Sequence, residues 1–342
     1  MVAARRRAPA MADVAQVAGV SHQTVSRVLN GHPSVRPQTR ARVLAAIESL
    51  GYRRNSAARA LVTSRSATIG VVTTGSPLYG PTSTLFAIER AARDAGYFVS
   101  VAALASYDGE AMRTVLEHLM SQGVEGIVVI APQDDVAAAV DSFSSPVPVV
   151  LVAAREGAGT GLEVAVDQRA GARLATEHLV SLGHERIMHL SGPDDWFDAR
   201  ERVLGWRDAM ADAGLGTAGL LAAGDWSAER GYRSGLGLAD RTGAARPTAV
   251  FAGNDQLALG LLRAFWERGV RVPDDVSVVG FDDVEGAAYL VPALTTVRQP
   301  FDELGRECLD VLVAALGDVA VARDVAIAPR LVVRSSTAPP TG

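Results

Sequence analysis

From residue 67 onward the chain alternates short, β-branched apolar runs with helical stretches, and few folds accommodate that pattern. ATIGVVTT (67–74), GIVVIA (126–131), VPVVLVA (147–153), RIMHLSG (186–192), TAVFAGN (248–254) and VSVVGFDD (276–283) are nearly continuous in apolar content, as strands buried on both faces must be. Segments between them, such as SYDGEAMRTVLEHLMSQ, repeat apolar residues at helical spacing. Strands separated by helices form parallel sheets covered on both faces. Roughly ten such units exceed one ordinary doubly wound sheet, so two α/β subdomains are expected. LTTVRQP (294–300) reads as a crossover between them, and RSSTAPPTG (334–342) as a frayed tail. No GxGxxG fingerprint and no GxxxxGK loop follows the strands, which argues against dinucleotide or P-loop chemistry.

A different pattern precedes this body. Ala12–Leu29, ADVAQVAGVSHQTVSRVL, reads as two short helices joined by a tight turn. Asp13 is expected to cap the first, with Val14, Ala15, Val17 and Ala18 on its inner face. Gly19 supplies a left-handed turn. Ser21 caps the second helix, with Val25, Val28 and Leu29 inward and His22, Gln23 and Arg27 outward. This is the layout of a helix-turn-helix, whose second helix can enter a DNA major groove. TRARVLAAIESL (39–50) adds a third helix ending at Gly51. SAARALVTS (56–64) is helix-capable but has too little apolar area to fold by itself.

Charge supports the division. Residues 1–66 carry 11 arginines, Arg5, Arg6 and Arg7 among them, against Asp13 and Glu48, a balance of +9. The whole chain is −5, so the remainder holds −14. A basic head on an acidic body is expected where one part meets phosphate and the other does not. The 342 residues can bury two or three cores beyond the head. One cysteine, Cys308 in ELGRECLDVLVAAL, excludes an internal disulfide and a cysteine metal cluster and reads as core. The N-terminal arginines are followed by helix-turn-helix residues rather than a signal-peptide apolar run, and no stretch would span a bilayer. A cytoplasmic protein, nucleoid-associated when bound to DNA, is expected.

ADVAQVAGVSHQTVSRVLN, RRNSAARAL, HLVSLGHERIMHLSGP, RVLGW, GDWSAERGY, AGNDQLALG, VSVVGFDD and LTTVRQPFDELG together resemble the lactose/galactose repressor (LacI/GalR) family of bacterial transcription factors, over essentially the whole chain. The resemblance implies a small all-α helix-turn-helix head (1–55), a hinge helix and linker (56–66), and an α/β periplasmic-binding-protein-like body of two doubly wound subdomains (67–337). The first lobe would comprise about 67–167 plus 298–328, the second about 168–297 plus 329–337, and 338–342 would be a frayed tail.

Residue roles follow from the same resemblance. His22, Gln23 and Arg27 would reach base edges; Gln and Arg side chains form bidentate pairs with adenine and guanine. Ser21, Thr24, Ser26, Asn30 and Thr39 would hold phosphates, with Tyr52 and Asn55 also at the DNA. In the hinge, Leu61 would wedge into the minor groove while Ala57 and Ala58 allow close approach; without the motif Leu61 reads as a core residue. Between the lobes, Arg202, Asn254, Asp282 and Gln299 would engage saccharide hydroxyls from loops at strand or helix ends, and Trp226 would stack on the sugar ring. Leu78 and Pro81 complete that lining. Where the lactose-binding member of the family places polar or aromatic contacts, this chain has Ile130, Ala153 and Val166. Trp196 and Phe197 are expected at the cleft mouth, which suggests a β-linked disaccharide. The tetramerising heptad tail of that member is missing, so a homodimer is expected.

The implied protein is a repressor of sugar-utilisation genes, bound to a near-palindromic double-stranded operator and released by a small saccharide. No cofactor, metal or membrane partner is expected. A transporter's solute-binding protein shares the body but would need a signal peptide and no basic head. An enzyme is disfavoured because Asp282 and Asp283, neighbours at a strand end, should point apart, with no nucleophile–base set beside them.

Overall fold

The computed structural model describes residues 9–53, 65–75, 77–104, 106–130, 133–155, 161–241, 243, 246–317, 319–320 and 324–341. The chain divides into two compact units, Met1–Ser66 and Ala67–Gly342. The expected hinge, with Asn55, Ala57, Ala58 and Leu61, lies outside the described residues, as do Arg5, Arg6 and Arg7.

The head holds α1 (Met11–Ala18), α2 (His22–Leu29) and α3 (Pro37–Leu50). Asp13 does not take the N-cap position. Ala10 does, and the Asp13 carboxylate accepts its backbone N–H at 2.7 Å from the first turn. Gly19 stands at φ 61°, letting the chain reverse where a Cβ would strain it. The Ser21 hydroxyl accepts the Thr24 N–H, which starts α2. Val14, Val25 and Val43, one from each helix, are fully buried around the head's core. Val17, expected inside, is 58% exposed: it lies on α1's outer face, beside Gln16.

The body contains two six-stranded sheets. The first comprises β1 (Thr68–Thr73), β2 (Phe98–Ala103), β3 (Gly126–Ile130), β4 (Val149–Val152), β5 (Leu162–Val166) and β11 (Asp324–Ile327), in the order β11-β5-β4-β3-β1-β2, all parallel. The second comprises β6 (Ile187–Leu190), β7 (Leu221–Ala222), β8 (Ala249–Ala252), β9 (Ser277–Asp282), β10 (Thr295–Arg298) and β12 (Arg330–Val332), in the order β12-β10-β9-β8-β6-β7. Only the β10–β12 pair in that sheet is antiparallel. The helices are α4 (Tyr79–Asp94), α5 (Gly109–Ser121), α6 (Asp134–Ser142), α7 (Gln168–Ser181), α8 (Phe197–Asp212), α9 (Ala228–Ala239), α10 (Asp255–Glu267) and α11 (Phe301–Leu316). Each sheet is covered by its own apolar clusters, and Cys308 is buried within the first lobe.

The chain passes between the sheets after β5, after β10 and between β11 and β12. The crossings are tied together: Asp167 N–H donates to Ile327 O at 2.9 Å, and the Gln168 amide donates to Gln299 Oε1 at 3.0 Å. LTTVRQP is therefore mostly strand, because Thr295–Arg298 pairs with β9, and only Gln299–Pro300 crosses. The C-terminal segment is not frayed. Ser336 is fully buried and its hydroxyl donates to Val278 O; Ala338 N–H donates to the Ser277 hydroxyl, and Thr341 donates to Asp274 O. Its small polar residues look like a loop in sequence, but the Ser277 hydroxyl and the His184 ring bond the Ala338 carbonyl and hold the segment down. Among the described residues no helix is long and apolar enough to cross a membrane.

Candidate functional sites

The outer face of α2 is one candidate site. His22, Gln23 and Arg27 are exposed. Beside them Ser21 and Thr24 share a hydroxyl–hydroxyl bond at 2.9 Å, and Asn30 donates weakly to Ser26 at 3.5 Å. Thr39 is half-buried on α3. Arg36 and Arg42 are also exposed, and Arg40, half-buried, reaches the His32 carbonyl at 2.9 Å. The face thus carries planar hydrogen-bonding side chains flanked by cations and no exposed carboxylate but Glu48. Tyr52 is a correction. Its side chain is 8% exposed and belongs to the head's core, packed with Val43 and Ala46. A chain that turns at Gly51 points the next side chain back under α3.

The second site is a cleft between the two sheets of the body, with about 670 Å³ of space, partly open to solvent. Leu78, Pro81, Trp196, Arg202, Trp226, Asn254, Asp282 and Gln299 all line it, as do Ile130, Ala153 and Val166.

Its polar side is a single hydrogen-bonded chain. Arg202 Nε donates to Gln168 Oε1 at 2.9 Å, Gln168 donates to Gln299, and Gln299 donates to Asp282 Oδ1 at 2.7 Å. A terminal Arg202 nitrogen donates to Gly253 O at 2.5 Å, and the guanidinium lies 3.8 Å from the Phe281 ring centre. Arg202 belongs to the second turn of α8 and not to a loop, so packing fixes it. Burial pushes its pKa down from the usual value, opposed by the charges of Asp282, Asp198 and Asp255. Asn254 caps α10 through Leu257 N–H, and its amide nitrogen donates to Trp226 O at 3.1 Å.

Burial dominates the carboxylates as well. Asp282 is pushed up to about 6 by desolvation, which outweighs Arg202 and the Gln299 bond. Behind it Asp255 is pushed up to about 8, again by desolvation and then by Asp282, although it accepts Thr296 Oγ1 at 2.6 Å and Val284 N–H at 2.9 Å. Asp283 faces away, paired with Arg298 and with Arg334 at 2.7 Å, so the two neighbouring acids do point apart. Asp282 and Trp226 adopt φ of 114° and 68°, backbone strain that the surrounding packing must hold. Trp226 meets Trp196 edge-on at 5.9 Å. Its indole fits because residue 192 is glycine: a Cβ there would stand 2.1 Å from the ring. The indole N–H is buried and has no acceptor among the described residues.

Phe197 does not share the mouth with Trp196. At the first turn of α8 it turns away from the cleft and packs, 7% exposed, into the first lobe's cluster with Ala137 and Ala139. The same edge carries Arg200, which grips both oxygens of Asp134 at 2.8 Å, and Gln133, which donates to Asp195 at 3.1 Å. Together these form a clasp between the lobes, beside the cleft rather than within it.

Sequence reasoning did not single out Tyr79, Thr84, Gln168, Asp198 or Phe301, which also line the cleft. Only Gln168 carried a signal, standing just beyond a strand end where the chain changes lobes.

Comparison with known proteins agrees with this geometry. Residues 10–55 match the model of bacterial regulatory proteins of the lacI family, and 176–337 match a periplasmic binding protein-like domain. The chain is 36% identical to the lactose operon repressor of Escherichia coli (strain K12), over 96% of this chain and 90% of that one. Among solved structures, the lac repressor dimer bound to operator and the anti-inducer ONPF superposes with a TM-score of 0.87 at 35% identity, covering 97% of this chain and all of that one. The transcriptional regulator CelR in complex with cellobiose gives 0.69 at 32% identity, covering 96% and 99%.

Proposed function

The chain belongs to the lacI family of bacterial regulatory proteins, and from that premise we propose that its cleft takes a small saccharide that releases the head from a near-palindromic operator. It is a DNA-binding transcriptional repressor and not an enzyme or a transporter's solute-binding protein. The observation that carries the saccharide reading is the Arg202–Gln168–Gln299–Asp282 chain, because groups facing the ligand are the same groups that bond the lobe crossings to one another. A ligand that rearranges those bonds changes how the lobes sit. If operator and saccharide favour different lobe arrangements, each weakens the other by the same factor, and a saccharide binding both equally does nothing.

A homodimer supports palindromic recognition, since a two-fold protein reads a two-fold site. Phe98 and Val101 on β2 and Leu221 on β7 are exposed apolar residues on the outermost strands of the two sheets, a surface suited to a second copy. The paired indoles of Trp196 and Trp226 favour a β-linked disaccharide, whose rings present flat C–H faces. Leu61 and Ala58 are assigned to the minor groove by motif alone.

Operator affinity measured with and without a panel of mono- and disaccharides tests this reading; an operator-binding protein that no saccharide releases would overturn it. In the same assay Arg27→Ala should relax preference at one base position by about 1–3 kcal/mol. It should leave the salt dependence nearly intact, since each phosphate contact contributes about 0.9 to the log–log slope. A uniform loss across sequences would instead make Arg27 a phosphate contact.

A further inference from the structure

Asp198 stands one helical turn before Arg202 on α8 and lines the cleft, yet its carboxylate has no hydrogen-bond partner among the described residues. Its neighbours explain why. The guanidinium of Arg202, the one cation among the cleft's lining residues, directs Nε to Gln168 and a terminal nitrogen to Gly253 O, and its face lies over Phe281. The attraction is therefore through space, and burial still holds the Asp198 carboxyl above its usual range.

The charges around the cleft can be enumerated. Asp198 and Asp282 line it, with Arg202 between them in effect. Asp255 lies behind Asp282 and, pushed to about 8, is largely protonated near neutrality. Asp283, outside the lining, is paired with two guanidiniums, those of Arg298 and Arg334. Tyr79 lines the opposite wall and is held neutral by burial, its phenol pushed up further by the acids across the cleft. The lining itself thus sets two carboxylates against one guanidinium, and the Asp198 carboxylate has no protein donor among the described residues.

We infer that Asp198 sets the charge class of the effector, accepting hydrogen bonds from a neutral or amino-bearing saccharide and excluding phosphorylated and acidic ones. The inference rests on the saccharide reading above and goes beyond it by naming the residue and the class. The half-buried Asp198 carboxylate gains from a ligand hydroxyl or ammonium donor and repels a second anion, most strongly once a bound ligand displaces the cleft's water. Nothing among the cleft's lining residues could offset a ligand phosphate or carboxylate, since Arg202 is already engaged.

The test uses the full chain on its operator, with release and calorimetric affinity read for cellobiose and lactose as neutral probes, glucosamine as the amino probe, and glucose 6-phosphate and glucuronic acid as anionic probes. Wild type should respond to a neutral or amino probe at least about 100-fold more tightly than to either anion. Asp198→Asn keeps the shape and removes the charge. It should lose any amino preference, weaken neutral probes by about 10-fold, and narrow the gap to the anions. Its thermal unfolding checks that the fold is intact, and Asp198→Ser repeats the charge removal with a smaller side chain. A wild-type ranking preserved in Asp198→Asn would overturn the role of Asp198 and leave the saccharide reading standing. A wild type released best by an anionic probe would overturn the charge class. A wild type that no probe releases or binds would remove the saccharide reading and this inference with it.

Discussion

The two walls of the cleft are built on opposite principles. The first lobe contributes mainly apolar side chains, Leu78, Pro81, Ile130, Val152, Ala153 and Val166, with the hydroxyls of Tyr79 and Thr84 beside them. The second contributes Arg202, Asp198, Asn254 and Asp282, held by packed helices and strand ends, with Arg202 and Asp282 joined to the crossings by hydrogen bonds. Apolar burial is non-directional, whereas a site built to bond hydroxyls rejects ligands lacking them, because its own polar groups are then left unpaired. On the saccharide reading proposed above, recognition would belong to the second lobe and closure to the first. The two cleft residues with positive φ, Trp226 and Asp282, both stand on that side, where fixed geometry is worth most. The clasp of Phe197, Arg200–Asp134 and Gln133–Asp195 lies where the two walls meet.

The largest expected effect is at the centre of the recognising wall. Arg202→Ala leaves Gln168 Oε1 and Gly253 O without their donor and Asp282 without its nearest cation. Removing one member of such a buried set costs about 3–5 kcal/mol. The denaturation midpoint should fall accordingly, and release by effector should vanish. A variant as stable and as responsive as wild type would break the division between the walls.

Asp282→Asn should be gentler on the fold, because an amide oxygen still accepts the Gln299 donor. Losing a charged acceptor for the ligand costs about 1.5–3 kcal/mol, or about 10- to 100-fold in effector affinity. The wild type adds a pH signature. With its folded pKa raised to about 6 against about 3.9 unfolded, Asp282 favours the folded state fully below pH 4, and that contribution is lost as pH rises through 6. Effector donors bind the ionised carboxylate, so affinity should move the other way and strengthen between pH 5 and 7.5. Calorimetry at the two values checks both, and Asp282→Asn should flatten the affinity profile.

How much of this was legible in sequence follows the range of the forces involved. Ser21, Gly19 and Gly51 announce the head because caps and left-handed turns act within four residues. Asn254 and Asp282 were legible as polar residues ending apolar runs. Asp198, Tyr79 and Phe301 were not, since each reaches the cleft only through the packing of one lobe against the other. Trp196 and Phe197 are adjacent in sequence, yet the start of α8 sends them to different sides. Tyr52 and the C-terminal segment show the same limit: polar or aromatic character suggested exposure, while long-range partners such as the core around Val43 and the hydroxyl of Ser277 decided otherwise.

The clasp sharpens the comparison because Phe197 touches the closing lobe without lining the cleft. Burying a Phe side chain provides at most about 1.5–3 kcal/mol, part of which depends on closure. Phe197→Ala should therefore weaken every effector by about tenfold, through the closed population alone. Calorimetry across saccharides that differ at one hydroxyl checks this: equal losses support closure, and a change in ranking would place Phe197 in recognition. Arg200→Ala should do less, since the pair with Asp134 is solvent-exposed and such pairs contribute about 0–1 kcal/mol.

A small effect is also expected on the apolar wall itself. Ile130 is 3% exposed at the end of β3, lining the cleft while packed against the first lobe's core. Ile130→Val removes one methylene, costing about 0.5–1.5 kcal/mol of stability. The ligand loses only part of that contact, so affinity should fall by less than about tenfold, an upper limit set by the same figure. More informative is the ratio of affinities for two saccharides differing in the orientation of one hydroxyl, which should stay at its wild-type value. No directional bond is lost when an alkyl wall recedes, and the charged groups of Arg202, Asp198 and Asp282 stand opposite. If Ile130→Val changed that ratio as much as Asp282→Asn does, the first lobe would be taking part in recognition, and the assignment of recognition to one wall and closure to the other would fail.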